Sequence, residues 1–287
     1  MELRPLNAPA YTTFDDSLST RDFRQLSEFI YNYCGIKMPD SKRSMLEGRL
    51  RKRLRATGHP TFSSYCDFLF RHGGMDTETI FLIDVVTTNK TDFFREPNHF
   101  EFMEKVALPT LAAKGHKRVR TWSSACSTGA EPYTMAMVMA EAVEKKVISD
   151  FSILATDLST DVLKKAHSGI YSRDLVEPVP ADLARKYVMQ AKDKRRDEVR
   201  ITPKLRAKVG YARLNLMDPT YSVGDLYQII FCRNVLIYFD KKTQAHVLTQ
   251  LCKCLMPGGY LLIGHSETVT GINLPVKQVA NTVFMKQ

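Results

Sequence analysis

TWSSACSTGAEPYTMAMVMAEAV, residues 121–143, joins a short apolar run, a turn of small residues and a stretch in which Met135, Met139 and Val143 recur at helical spacing. That order predicts a strand, a tight turn and a helix. Such a turn lets backbone N–H groups and the N-terminus of the helix approach a ligand, and Pro132 suits the first helical turn. We therefore interpret the turn as a candidate small-molecule site.

The residues of the turn restrict the class of ligand. Gly129 is its only glycine, so the dinucleotide fingerprint is absent, and Glu131 would repel a phosphate. The next apolar run, FSILATDLS, ends at Asp157, and a carboxylate after the second strand of a β–α–β unit usually accepts hydrogen bonds from a ribose. A ribose without phosphate, together with a positive group, describes S-adenosylmethionine. The alternative is a turn that binds nothing and an Asp157 that caps a helix beginning near Ser159.

The composition is that of a globular protein with a marked positive charge. The chain has 287 residues, which suffices for one large or two ordinary domains. No apolar run is long enough to span a bilayer, and the first residues lack the apolar centre of a signal peptide, so we expect a cytoplasmic protein without membrane insertion. The net charge of +10 predicts an acidic partner.

The six cysteines show no metal-binding pattern. None forms a C-x-x-C pair, and Cys252 and Cys254 have neither metal spacing nor nearby histidines. We therefore expect reduced, mostly buried thiols and no metal ion.

A strongly basic helix is predicted over residues 41–60. Leu46, Leu50 and Leu54 recur every four residues and form its apolar face. The other faces carry the cations Lys42, Arg43, Arg49, Arg51, Lys52, Arg53 and Arg55. Only Glu47 offsets them. A charge run is usually a solvated face, but like charges four residues apart repel, so we favour a surface that binds an acidic partner.

The chain divides into a helical part and a sheet part. Residues 1–88 show helical patterns and no obvious catalytic motif, apart from an irregular arm over residues 1 to about 18. The segment 89–97 combines short polar side chains, two phenylalanines, Arg95 and a helix-starting Glu-Pro pair. Such residues commonly form a capped linker, but an arginine beside aromatic rings fits the wall of a site slightly better.

Strands and helices alternate from residue 118 onward, which predicts a parallel sheet with helices on both faces. The segment 170–214 interrupts this alternation with three extended runs, the last of them RAKVGYARLNL, and predicts an inserted antiparallel ribbon with an edge that can accept a peptide. We expect the last helix to close at Pro257-Gly258-Gly259, and one edge strand to follow near the end. The residues at the carboxyl ends of the predicted strands, where ligands bind, are Ser123 to Glu131, Asp157, Asn215, Arg233 to Tyr238 and His265 to Glu267.

Five motifs, TTNKTDFFR, WSSACSTGAEPYTMA, ATDLS, LNL and FCRNVLIYF, occur in this order. With them the chain resembles the chemotaxis receptor glutamate O-methyltransferases, the CheR family, over essentially its whole length. The resemblance implies a small all-helical N-terminal domain (1–88), a linker that contributes to the cofactor site (89–97) and a class I, Rossmann-like α/β methyltransferase domain (98–287) with a β-subdomain inserted at about 170–214. It also implies S-adenosylmethionine as the methyl donor and S-adenosylhomocysteine as the product.

Site residues carry over from the family by motif position. The implied cofactor contacts are Asn89, Thr91, Arg95, Glu131, Asp157, Asn215, Leu216, Arg233 and Asn234. We further hypothesise that Arg95 orients the incoming carboxylate and that Tyr238 donates a hydrogen bond near the point of transfer. The alternative for Tyr238 is a strand-end ring that packs on the following helix.

The resemblance also implies the substrate, the glutamate side chains of bacterial chemoreceptors, which are methylated during chemotactic adaptation. We expect the acidic receptor helices to be bound by four cations of the basic helix: Lys42, Arg43, Arg49 and Arg53. In some family members the β-subdomain binds the C-terminal peptide of a receptor. We expect a monomer that is recruited to receptor clusters.

Two other functions compete with this interpretation. An RNA or DNA methyltransferase would use the basic helix on phosphates, but the segment 234–238, NVLIY, lacks the Pro-Pro and adjacent aromatic residue of an enzyme that methylates a flipped base. We therefore expect no nucleic acid partner. A regulator that binds S-adenosylmethionine without catalysis would bind the donor and transfer nothing.

Overall fold

The computed structural model describes residues 17–193 and 195–287, so most of the predicted irregular arm lies outside the described residues. Within them the chain forms two compact units. The helical unit contains the residues up to Tyr31 together with Met38–Val86, and the sheet unit contains Asn32–Lys37 together with Thr87–Gln287. Across the described part of the chain, every helix is too short or too polar to cross a bilayer.

The helices of the helical unit are α1 (Thr20–Cys34, whose C-terminal end belongs to the sheet unit), α2 (Arg43–Thr57), α3 (Phe62–Arg71) and α4 (Met75–Val86). Ser19 begins α1, because its hydroxyl oxygen accepts the N–H of Asp22 at 3.1 Å. Leu46, Leu50 and Leu54 are buried along one face of α2. This confirms the predicted apolar face of the basic helix.

The strands of the sheet unit are β1 (Arg118–Ser123), β2 (Asp150–Asp157), β3 (Ile170–Ser172), β4 (Val188–Gln190), β5 (Glu198–Ile201), β6 (Val209–Arg213), β7 (Tyr227–Cys232), β8 (Leu255–Ile263), β9 (Val276–Ala280) and β10 (Val283–Lys286). One sheet of the described residues has seven strands in the order β6-β2-β1-β7-β8-β10-β9. Its strands from β6 to β8 are parallel, and β10 is antiparallel to both of its neighbours.

The helices of the sheet unit are α5 (Pro97–Phe102), α6 (Leu108–Ala113), α7 (Ala130–Glu144), α8 (Thr160–Ser168), α9 (Arg173–Val176), α10 (Ala181–Tyr187), α11 (Pro203–Arg206) and α12 (Lys241–Cys254). A π-helical turn, Met103–Ala107, joins α5 to α6. Along β7, Ile229 and Phe231 pack in one apolar cluster with α7, and Ile230 packs in another with α12. Because neighbouring residues of a strand face opposite sides, helices cover both faces, which confirms the predicted α/β class.

The inserted β-subdomain is a separate antiparallel sheet in the order β3-β5-β4. The prediction that RAKVGYARLNL forms its third strand is wrong, because β6 pairs in parallel with β2 of the large sheet. The alternating pattern of this run fits either sheet, and the pairing with β2 buries Val209 in the main core. Ile170–Ser172, directly after α8, supplies the third strand instead.

Two predictions near the end of the chain are also wrong. α12 ends at Cys254, and Pro257-Gly258-Gly259 lies inside β8. A Cβ on Gly259 would lie 2.9 Å from the carbonyl oxygen of Gln228, so the glycines serve the irregular pairing of β7 with β8. The predicted single edge strand is a hairpin, in which β10 is internal and β9 forms the edge.

Candidate active site

A crevice is expected between β1 and β7, because the strand order reverses there. The chain continues from β1 through β2 to β6 on one side, and from β7 to β8 on the other. In open α/β sheets, ligands bind at such a switch point, at the carboxyl ends of the strands. Ser123 ends β1, and Arg233 directly follows β7.

The turn after β1 is held rigidly. The N–H of Cys126 donates to the carbonyl oxygen of Thr156 on β2 at 2.9 Å. Gly129, directly before α7, has a φ of 94°, and a Cβ there would lie 2.8 Å from the hydroxyl oxygen of Tyr171 and 2.9 Å from the Cβ of Ala166. Both backbone conformation and packing therefore require the glycine.

Asp157 ties the end of β2 to this turn. Its carboxylate accepts the N–H of Ser127 at 2.8 Å and the N–H of Ser159 at 3.0 Å. The hydroxyl oxygen of Ser159 accepts the N–H of Val162 and caps α8, while Asp157 binds the N–H of that cap residue, so its carboxylate also supports the start of the helix. Asp157 thus places a carboxylate beside the turn at the carboxyl edge of the sheet.

Arg233 is the centre of a buried ionic network. Its side chain is 1% exposed, and its guanidinium lies 5.3 Å from the ring centre of Phe100. Nη1 donates to Oε2 of Glu131 at 3.2 Å, while Nε and Nη2 donate to Oε2 of Glu96 at 3.3 and 3.1 Å. Nη2 also donates to the carbonyl oxygen of Arg95. One cation therefore joins the end of β7 to α7 and to the segment before α5.

Two carboxylates fix the segment that follows β7. Oε1 of Glu96 accepts the side-chain N–H of Asn234 at 3.1 Å. Glu267 accepts the backbone N–H groups of Asn234, Leu236 and Gly264 at 3.0, 2.7 and 2.6 Å. The chain after β7 is therefore held from two sides.

Left-handed backbone conformations of non-glycine residues occur throughout this region. The φ angle is 53° at Phe94, 56° at Glu96, 50° at Ser127 and 57° at Asn234. A side chain with a Cβ disfavours this conformation, which persists only where the surrounding structure holds it. Such strain is typical of binding and catalytic sites.

The carboxyl groups of the network differ in their pKa. Burial raises the pKa of Glu131, and Arg233 opposes that rise together with the hydroxyl of Ser123, which donates to Oε1 at 2.7 Å. Burial also acts to raise the pKa of Glu96, but the donors Asn234 and Arg233 outweigh it, so this pKa lies below its ordinary value. Glu96 and Glu131 thus share one buried arginine, and two carboxylates beside one cation favour a cationic ligand.

Comparison with known families decides the class of the chain. Residues 89–285 match the family described as CheR methyltransferase, SAM binding domain, and residues 21–87 match CheR methyltransferase, all-alpha domain. The chain belongs to the CheR methyltransferase family. The resemblance stated from the sequence is confirmed, and the sheet unit contains an S-adenosylmethionine-binding methyltransferase domain.

Chemotaxis protein methyltransferases of several bacteria are similar to this CheR-family chain over most of its length. The one from Borreliella burgdorferi is 38% identical over 260 residues, which cover 89% of this chain and 90% of the relative. That of Escherichia coli is 36% identical over 273 residues, with 93% and 91% covered. Chemotaxis protein methyltransferase 2 of Pseudomonas aeruginosa is 33% identical over 277 residues, with 96% and 97% covered.

The linker of this CheR-family chain is tied to the crevice. The carbonyl oxygen of Asn89 accepts the hydroxyl of Ser127 at 2.7 Å, and Thr91 is half-buried. The guanidinium of Arg95 donates to the carbonyl oxygen of Lys90 at 3.2 Å. Direct contact of Asn89, Thr91 and Arg95 with the cofactor stays a prediction, as it does for Glu131, Asp157, Arg233 and Asn234.

Asn215 and Leu216 follow β6, and their side chains are engaged inside the sheet unit. The side-chain nitrogen of Asn215 donates to the carbonyl oxygen of Tyr33 at 2.6 Å, and its oxygen accepts the N–H of Met217 at 3.0 Å. Leu216 is buried in the apolar cluster of α12. Their cofactor contacts stay predictions, and the position of Tyr33 beside Asn215 is a feature that the sequence does not indicate.

Tyr238 closes a 3-10 turn, Leu236–Tyr238, directly after the network. It is half-buried and packs against the apolar cluster of α12. Its carbonyl oxygen accepts the N–H of Lys37 at 3.1 Å. The packing predicted as the alternative is therefore present, and the catalytic role of Tyr238 stays a prediction.

The cations of α2 have more partners than the sequence analysis expects. Arg53 forms two hydrogen bonds with the buried Glu78, at 2.6 and 2.8 Å. Arg49 donates to the carbonyl oxygen of Val86, and Arg43 pairs with a neighbouring aspartate at 3.1 Å. The expectation that one glutamate alone offsets the cations of this helix is wrong, because Glu78 on α4 pairs with Arg53 and Asp40 pairs with Arg43.

Sequence reasoning misses the role of Glu96 and the pairings within the network. Glu96 reads as a helix-start residue before a proline, and its contacts to Arg233 and Asn234 span 137 and 138 residues. Ser123 and Glu267 lie at strand ends that the sequence does mark as ligand-binding, but their hydrogen-bond partners in the network have no sequence signal.

Proposed function

We propose that this protein transfers the methyl group of S-adenosylmethionine to glutamate side chains of bacterial chemoreceptors and forms glutamyl methyl esters. The observation that carries the proposal is the buried network around Arg233 at the switch point of a CheR-family sheet. Its excess of negative charge suits a cationic donor. Arg95, whose carbonyl oxygen is bound by Arg233, adds a positive side chain for an anionic acceptor. The names of the relatives support a chemotaxis substrate.

The proposed reaction requires positioning rather than a general base. A glutamate has an ordinary pKa of about 4.3, so it is ionised at neutral pH. Its oxygen attacks the methyl carbon, the bond from that carbon to sulfur breaks, and sulfur keeps the electron pair. Charge is neutralised between carboxylate and sulfonium, so exclusion of water favours the reaction. Well-oriented reactants can account for about 7–11 kcal/mol of the barrier.

Two side chains are assigned to the acceptor. Arg95 orients the incoming carboxylate, and Tyr238 donates a hydrogen bond near the point of transfer. Arg95 extends from the linker whose backbone the network holds, so its position is coupled to that of the donor. An Arg95→Ala protein with full turnover would contradict the assignment of Arg95.

The exposed part of α2 supports recognition of an acidic partner. Lys52 and Arg55 are exposed, and Lys42 and Arg43 are half-buried near the start of the helix. Arg53 is mostly enclosed by its pair with a glutamate. We assign receptor binding to the exposed cations rather than to Arg53, because charges on the surface attract an acidic helix during its approach.

The small sheet of β3, β4 and β5 offers a second surface for binding the receptor. β3 and β4 are its outer strands, and they expose Ile170 and Met189. A strand edge with exposed apolar side chains can accept an extended peptide as a further strand. A receptor C-terminal peptide bound there would recruit the enzyme to receptor clusters.

Methyl transfer from labelled S-adenosylmethionine tests the proposed function. Chemoreceptor-containing membranes and total RNA serve as parallel acceptors, and mild alkali follows. We expect label on the receptor that alkali releases as methanol, as a glutamyl ester requires. Label on RNA, or label on protein that alkali leaves in place, contradicts the proposal. Donor binding without any transfer indicates a regulator that binds the cofactor.

A further inference from the structure

A cluster of two histidines and a glutamate lies beside the network, at the carboxyl end of β8. Glu96, His99 and His265 each offer one potential metal ligand, and these atoms lie within 4.8 Å of one another. Oε2 of Glu96 is 3.4 Å from Nδ1 of His99 and 4.0 Å from Nε2 of His265. Ligands bound tetrahedrally at about 2.0–2.1 Å lie about 3.3–3.5 Å apart. Glu96 and His99 already have this spacing, and His265, which is partly exposed, lies farther out.

The buried ring of His99 presents an unpaired nitrogen to this cluster. Its side chain is 1% exposed, and Nδ1 has no hydrogen-bond partner among the described residues. Nε2 lies 2.8 Å from Oγ1 of Thr282, whose hydroxyl donates to the carbonyl oxygen of Asn281 at 2.7 Å. Because that hydroxyl has one proton, Oγ1 accepts from Nε2–H, and Nδ1 keeps its lone pair.

A lone pair of His99 therefore faces a carboxylate oxygen of Glu96. Two acceptors face each other 3.4 Å apart without a hydrogen between them. Such a pair is stabilised by a cation, and a neutral imidazole whose other nitrogen is hydrogen-bonded is the form in which histidine binds metals.

We propose that Oε2 of Glu96, Nδ1 of His99 and Nε2 of His265 bind one divalent transition-metal ion, with zinc as the best match. Two imidazole nitrogens and a carboxylate oxygen are a common zinc ligand set and leave one position for water. No sequence spacing marks this site, because Glu96 precedes α5, His99 lies in α5 and His265 follows β8.

Occupation of this site is expected to inhibit the enzyme. Oε2 of Glu96 is also the oxygen that accepts Nε and Nη2 of Arg233. A metal ion on the same oxygen withdraws its electrons and repels the guanidinium, which also holds the carbonyl oxygen of Arg95. The inference goes beyond the proposed function, because metal binding is measured without any methyl acceptor.

Titration of the full-length protein with Zn²⁺ alone, and separately with Co²⁺ alone, tests the site. We expect one ion per chain and the visible absorption of tetrahedral Co²⁺. Removal of one ligand in His265→Ala should weaken affinity at least about tenfold. His72→Ala is the matched control, because His72 is an exposed histidine of the helical unit. Thermal unfolding without metal establishes that both variants fold.

The same variants test inhibition. Zn²⁺ should weaken binding of S-adenosylhomocysteine to the wild type and to His72→Ala, and leave binding to His265→Ala unchanged. Equal metal affinity in all three proteins would indicate an adventitious ion only and overturn the proposal. So would the absence of metal binding to the wild type. Neither result bears on methyl transfer to receptors, so failure of this inference is distinguishable from failure of the proposed function.

Discussion

Arg53 in the helical unit and Arg233 in the sheet unit both pair with buried glutamates, but the two pairings differ in their balance of charge. Arg53 meets one carboxylate, Glu78, through two hydrogen bonds of 2.6 and 2.8 Å, and the hydroxyl of Tyr65 donates to the same carboxylate at 2.9 Å. The single positive charge of Arg53 is therefore balanced by the single carboxylate of Glu78. Arg233 is shared between Glu96 and Glu131, and it also binds a backbone carbonyl oxygen.

The difference separates a structural ion pair from a binding site. Arg53 and Glu78 lie on regular helices, whereas Arg233 is surrounded by left-handed residues such as Glu96 and Asn234. Surplus negative charge and strained backbone together indicate that a cationic ligand binds beside Arg233, and that none is needed beside Arg53. An arginine on a basic helix is therefore poor evidence of a binding surface until its partners are known.

The largest expected effect is that of Arg233→Met. The substitution leaves Glu96 and Glu131 buried without their cation, which should destabilise the sheet unit by about 3–5 kcal/mol. It should also abolish binding of S-adenosylhomocysteine. Urea unfolding and calorimetric titration measure the two effects. Wild-type stability and affinity together would show that the network around Arg233 supports neither the fold nor the site.

Arg53→Met should destabilise the helical unit and leave the cofactor site intact. We expect a loss of about 2–4 kcal/mol, because Glu78 keeps only the hydrogen bond of Tyr65. Affinity for S-adenosylhomocysteine should equal that of the wild type. The double variant Arg53→Met, Glu78→Gln should regain much of the lost stability, since it removes the unpaired charge. Weaker cofactor binding in Arg53→Met would contradict the claim that the Arg53–Glu78 pair is purely structural.

Reversal of the exposed charges on α2 should have the smallest effect. Lys52→Glu together with Arg55→Glu should raise KM for the receptor about three- to tenfold, because exposed charges each contribute about 0.2–1 kcal/mol. Added salt should reduce the difference. Lys105→Glu with Lys253→Glu, two exposed lysines of the sheet unit, is the charge-matched control. Equal KM values in both double variants would mean that charge at α2 is not recognised.

The alternation of strands and helices predicts most of the fold, because burial on two faces leaves a clear pattern in β1, β2, β7 and β8. The pattern is less informative in short strands. Val209–Arg213 alternates equally well for the small sheet and the large one, and only pairing with β2 decides between them. Likewise Pro257-Gly258-Gly259 is typical of a helix end but lies within an irregular strand pair.

The candidate site is predictable only where it follows strands. Asp157, Arg233 and Asn234 lie where the sequence places them, because the carboxyl ends of parallel strands share one edge. The pairing of Glu96 with Arg233, or of Arg53 with Glu78, depends on contacts between distant parts of the chain. No local pattern records such contacts, so the partners of Arg53 and Glu96 are not predictable from the sequence.

The most direct test of the account is the affinity of Glu131→Gln for S-adenosylmethionine, which carries the positive sulfonium. Glutamine can keep both contacts, with its oxygen accepting from Arg233 and its nitrogen donating to Ser123, so only the charge is lost. Glu144→Gln, on the exposed end of the same helix, is the control. We predict an affinity about 10- to 100-fold weaker in Glu131→Gln, as expected for a charged hydrogen bond, with unchanged thermal stability. Affinity within about twofold of the wild type would contradict the claim that this network holds a cationic cofactor.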